Sequence, residues 1–133
     1  MIVPDASVVV QHLADPDVDE RAVRATEILE ADTHWLVPEH WRLEVVNALR
    51  GLMFAGQLTD GDAYRILDWL RLATVIAVPT GPLVSRIWEL RSNLTAYDAA
   101  YVAVAEANDV TLVTADARIA RAGVARCAIR LVI

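Results

Sequence analysis

Five short apolar runs punctuate this chain: Ile2 to Pro4, "HWLVP" ending at Pro38, "TVIAVP", "VTLV" from Val110 to Val113, and "CAIRLVI". Helix-periodic stretches separate them. Runs this short, with no polar alternation, read as strands buried on both faces. The order β-α-α-β-α-α-β-α-α-β-α-β then predicts an α/β fold, a mostly parallel sheet covered by helices on both sides. The chain has 133 residues, no internal repeat and no linker, so one domain over 1–133 is expected.

The helices have readable limits. "SVVVQHLAD" stops near Asp15 and Pro16, and Asp17 to Ala31 carries Ala22, Ala25, Ile28 and Leu29 on one face. Glu39 to Ala55 closes at Gly56, and Asp60 to Leu72 follows the capping sequence "TDGD". Gly81 to Ser92, Ala96 to Asn108 and "ADARIARAG", with Gly123 at its end, complete the set.

Hydrophobic residues make up 56% of the chain, yet no apolar run approaches the roughly 18–20 residues of a membrane span. The opening "MIVPDASVVV" has no basic region of the signal-peptide kind. A cytoplasmic protein is expected, with surplus apolar surface facing a partner or a second copy. The lone Cys127 excludes an intrachain disulfide and reads as core filler, and His12, His34 and His40 lack zinc-ligand spacing. The net charge of −6 argues against a broad basic face for nucleic acid, but not against a nuclease whose acids hold metal. All twelve basic residues are Arg.

Ligands of such sheets bind beyond the carboxyl ends of the strands. Asp5 follows the first strand and Asp116 the fourth. Each is explained singly as a helix N-cap, and Thr95 with Asp98 fits a capping box. Glu44 fits that account less well, because it lies well past Glu39 and borders Trp41 and Ala48. Arg42 or Arg50 is an available partner, and Asn47 lies beside it. If the four acids converge, two carboxylates about 4 Å apart repel by about 4 kcal/mol at an effective dielectric near 20. Such a group takes up protons or binds divalent cations, and an all-oxygen site suits Mg²⁺ or Mn²⁺. The chemistry expected of it is metal-assisted phosphodiester hydrolysis.

In order and separation, "MIVPDASVVV", "RLEVVNAL", "LTAYDAAYVAVAE" and "LVTADARIARA" resemble the four motifs of the PIN domain, across essentially the whole chain. The length resembles the VapC-type toxins of bacterial toxin–antitoxin pairs. The resemblance implies the PIN α/β/α sandwich and a Mg²⁺- or Mn²⁺-dependent endoribonuclease leaving a 5′-phosphate and a 3′-hydroxyl. It implies Asp5, Glu44, Asp98 and Asp116 as the acids around the metal, with Ser7, Asn47 and Thr114 supporting them. It implies a small VapB-like antitoxin as partner, an RNA substrate (tRNA, an rRNA loop or mRNA) and a homodimer. Pro4 departs from the family, which has an ordinary strand residue before the first acid. RNA contact falls to local arginines, with Arg86, Arg91, Arg118 and Arg121 as candidates.

Other Mg²⁺ or phosphate sites on parallel sheets fit less well. A receiver domain needs a Lys after a late strand, a P-loop needs GxxxxGK, and a haloacid-dehalogenase-type phosphatase needs an acid two residues past its nucleophile, where Ser7 stands. The alternative from another class is an inactive PIN module acting by RNA or antitoxin binding.

Overall fold

In the computed structural model, residues 1–13 and 19–133 are described. The expected end of the first helix near Asp15 and start of the second at Asp17 lie outside them. Elsewhere the expected element order holds: β1 (Ile2–Pro4), α1 (Ala6–Leu13), α2 (Glu20–Ala31), β2 (Leu36–Pro38), α3 (Trp41–Phe54), α4 (Asp60–Leu72), β3 (Ile76–Val78), α5 (Val84–Glu89), α6 (Ala96–Asn108), β4 (Thr111–Thr114), α7 (Ala117–Ala122) and β5 (Ile129–Leu131).

All strand pairs are parallel. β1, β4 and β5 form one ladder with β4 central, and β2 pairs with β3. The two ladders meet at one bridge between Ile2 and Trp35, made by the Ile2 N–H on the His34 carbonyl. Pro4 explains why the contact stops there. The Asp5 N–H donates to Val113 on the β4 side, so residues 2 and 4 turn their nitrogens toward β2. Pro4 has no N–H to give. The sheet therefore reads 3-2-1-4-5, with its β2–β1 seam held by one bridge.

α6 lies across this seam, packing on β1, β2 and β4. Its residues Ala99 to Ala105 are buried on every side, as a helix apolar all round must be. α5 packs beside it, while α1 packs on β4 with α2 and α3 against it. Fully buried Val3, Leu112 and Val8 join strands to helices in a single core. No helix among the described residues is long and apolar enough to cross a membrane.

α4 and α6 have the expected bounds because Thr59 and Thr95 cap them, each accepting the N–H three residues on. Two expectations need correction. α3 begins at Trp41 rather than Glu39: Glu39 and His40 form a turn after Pro38, the His40 carbonyl accepts the Glu44 N–H, and the Glu39 carboxylate accepts from the N–H and hydroxyl of Thr80. The expected helix Gly81 to Ser92 is a 3-10 turn, Gly81–Leu83, and then the short α5. Pro82 opens that turn, and the chain leaves α5 through turns before Thr95 restarts it.

Candidate active site

The carboxyl ends of β1, β2 and β4 and the N-terminus of α6 meet at one edge of the fold. Asp5 is 4% exposed and its neighbour Thr114 is fully buried. Asp5 Oδ1 accepts from the Ser7 hydroxyl and from the Val8 N–H at 3.1 Å, and Oδ2 accepts from the Thr114 hydroxyl. The two hydroxyls are oriented in turn. Ser7 Oγ accepts the Ala115 N–H and Thr114 Oγ1 the Asp116 N–H, both at 2.9 Å. Burial drives Asp5 up to about 6, against the pull of Ser7, Thr114 and Val8, and Asp98 adds to the rise.

Asp98 lies in the first turn of α6, half-buried. Burial and then the charge of Asp116 raise it above the ordinary carboxylate range, and Thr95, Arg118 and His40 oppose the rise. Asp116 caps α7 through the Arg118 N–H. The Arg118 guanidinium grips both its oxygens, and this hydrogen bond holds it below the usual range despite partial burial.

Glu44 is in the first turn of α3, a correction to its expected place well past the helix start. Neither Arg42 nor Arg50 pairs with it. Arg42 donates to the Leu70 and Ala73 carbonyls, and Arg50 lies over Phe54. The Tyr101 hydroxyl of α6 donates to Glu44 Oε2 at 2.7 Å, and His40 Nε2 stands 3.6 Å from Oε1. The His40 ring is wedged edgewise between Tyr97 and Tyr101. Asn47 is exposed and has no side-chain hydrogen bond among the described residues. Tyr101 is fully buried, and its deprotonation is opposed by burial, then by Glu44 and Asp5.

Sequence reasoning passed over Tyr101, and noted of His40 only that it lacks zinc-ligand spacing. The signals were present: a phenol inside an Ala and Val run needs a polar partner, and His40 stands one turn before Glu44. Tyr101→Phe is expected to cost about 1.5–3 kcal/mol in urea unfolding, the range for a lost hydrogen bond to a charged group.

Among the expected RNA-contact arginines, Arg86 is already committed. It pairs with Glu106 through Nε at 2.8 Å and with Glu89, and donates to the Val124 carbonyl. Arg91 lies over Trp88, while Arg121 is exposed.

The donor set at this edge suits a hard divalent cation. It is all oxygen, and two of its carboxylates, Asp5 and Asp98, are pushed toward protonation, by burial first and by a neighbouring carboxylate second. No group of three His, Cys, Asp or Glu side chains among the described residues is gathered into a cage. Mg²⁺ does not require one, since it is commonly held by one or two carboxylates and keeps several waters.

A sequence model of the PIN domain matches residues 2–125, and the chain belongs to that family. Within it, the chain is similar to ribonucleases of the VapC kind. It is 43% identical over 133 residues to VapC ribonuclease Mb0985 of Mycobacterium bovis, covering 99% of this chain and 98% of that protein. It is 36% identical over 131 residues to Ribonuclease VapC1 of Mycobacterium tuberculosis, with 98% and 96% covered. PAE2754 from Pyrobaculum aerophilum shares the fold with a TM-score of 0.69 at 22% identity, over 96% of this chain and 81% of that one. FitAcB from Neisseria gonorrhoeae does so at 0.68 and 18% identity, over 97% and 96%.

Proposed function

We propose that the chain is a VapC-type toxin, a single PIN domain acting in the cytoplasm as a Mg²⁺- or Mn²⁺-dependent endoribonuclease. Asp5, Asp98, Asp116 and Glu44 hold the metal, and RNA cleavage leaves a 5′-phosphate and a 3′-hydroxyl. The observation that carries this reading is the buried Asp5, fixed by two oriented hydroxyls at a strand end with Asp98 near enough to raise it. A fold gains nothing in stability from a buried carboxylate pushed to about 6. A divalent cation bound by these residues would supply the missing positive charge, and with it an activated water and stabilisation of charge on the phosphoryl oxygens.

The chain's own groups then have distinct tasks. Ser7 and Thr114 keep the Asp5 oxygens facing the site. Asp98, raised by burial and by Asp116, is suited to take the proton of the attacking water. Tyr101 occupies Glu44 Oε2 and leaves Oε1 free of it. The small VapB-like antitoxin expected of a VapC relative would cover this edge. Leu43, Val46, Phe54, Val84 and Trp88 are large apolar side chains left exposed, the surface proposed for the antitoxin and for a second copy.

The test incubates antitoxin-free protein with total bacterial RNA under Mg²⁺, Mn²⁺ or EDTA and maps new 5′ ends. Discrete cuts that EDTA abolishes are expected. Intact RNA from folded protein under both metals would favour a PIN module that acts by binding RNA or antitoxin.

A further inference from the structure

Asp116 differs from the other three acids in being ion-paired to a guanidinium of its own chain. Its Oδ1 accepts the Arg118 N–H at 2.9 Å and Arg118 Nε at 3.0 Å. Its Oδ2 accepts Nε at 3.1 Å and Nη2 at 2.6 Å. Three N–H groups thus serve the two oxygens, the Nε–H being shared between them. While this fork is closed, a cation at Asp116 has to compete with the guanidinium for the same oxygens and against its positive charge. The fork is also built to open: the Arg118 side chain is 78% exposed against 19% for Asp116, and exposed ion pairs are weak. Letting go leaves the backbone cap from the Arg118 N–H in place, so α7 keeps its start.

We propose that Arg118 is a positioning residue of this site, an internal counter-ion that holds Asp116 in the metal-free chain and is exchanged for the divalent cation. The proposal rests on the metal site put forward above. It gives Arg118 a task unlike the RNA contact expected from sequence. It also predicts an effect of opposite sign to that of removing a ligand: loss of the arginine tightens metal binding.

The test is a Mn²⁺ titration without RNA, with free Mn²⁺ read by its electron paramagnetic resonance signal. It compares the wild type, Arg118→Gln, Asp116→Asn, the double variant and Asp98→Asn, with melting curves to show that each is folded. Arg118→Gln is expected to bind Mn²⁺ tighter by up to about fivefold, the ceiling set by an exposed pair. The gain should vanish in the Asp116→Asn background, as a double-mutant cycle requires when one residue acts through the other. An equal gain in both backgrounds would overturn the proposal, since Arg118 would then act only as diffuse positive charge. Unchanged affinity in Arg118→Gln, with binding lost in Asp98→Asn, would also overturn it while leaving the metal site intact. Absence of Mn²⁺ binding by folded wild type at millimolar concentration would remove the metal site and the exchange together.

Discussion

Asp5→Asn is expected to make the metal-free protein more stable by about 2–3 kcal/mol at pH 7.5, raising its Tm by several degrees. The carboxylate is buried and titrates near 6, above its ordinary range. Below pH 4 both folded and unfolded chains hold this proton, so Asp5 carries no penalty. Between about pH 4 and 6 the unfolded chain releases the proton and the folded chain keeps it, so stability falls as pH rises. Above that window the loss is constant. Asn does not titrate and preserves the acceptor that Ser7 and Val8 use, so its advantage should open from pH 4 and level off above 6. Melting curves of both proteins across pH 4–8 in EDTA measure this. A Tm difference that is flat with pH would mean that Asp5 is not held against its charge. Saturating Mg²⁺ should stabilise the wild type and narrow the gap, because ligand bound only by the native state adds to stability.

Asp98→Asn should lower RNA cleavage by about 10²–10⁴-fold, the usual contribution of a positioned acid or base. It keeps the N–H that Thr95 caps, so α6 should retain its start. The loss is therefore expected without a drop in Tm, and relief from the repulsion of Asp116 favours a small rise. Single-turnover cleavage of a mapped RNA target, beside a melting curve, separates the two effects. Cleavage within tenfold of the wild type would remove Asp98 from the chemistry. A cleavage loss matched by a fallen Tm would place its role in the fold.

How far the sequence reveals this molecule depends on the range of each signal. α4 and α6 were legible to the residue, since Thr59 and Thr95 cap through a contact three residues away. The start of α3 was not, because its N-cap, His40, makes no side-chain cap bond, and the Glu39 carboxylate goes to Thr80, forty-one residues on. At the site, Asp5 and Asp116 were placed by the strand-end rule alone, and Ser7 and Thr114 by family resemblance. Glu44 was singled out, but its partner Tyr101 comes from a helix fifty-seven residues away, which only the packing of α6 brings near. The fork from Arg118 to Asp116 was hidden for another reason. A spacing of two is not a helix-face pairing, and it closes here because Asp116 stands outside α7.

Pro4 has a consequence beyond strand pairing. With one main-chain bridge across the β2–β1 seam, the backbone network is nearly divided into two plates. Asp5, Thr114 and Asp116 belong to the β1–β4–β5 ladder, and Glu44 stands on α3, which packs on α1. α6 packs on both ladders, and its Tyr101 hydroxyl donates to Glu44 of α3. The join between the two ladders is thus held largely by the side-chain packing of α6 rather than by a ladder of amides. A shift between the two ladders would therefore break few main-chain hydrogen bonds and leave each ladder whole.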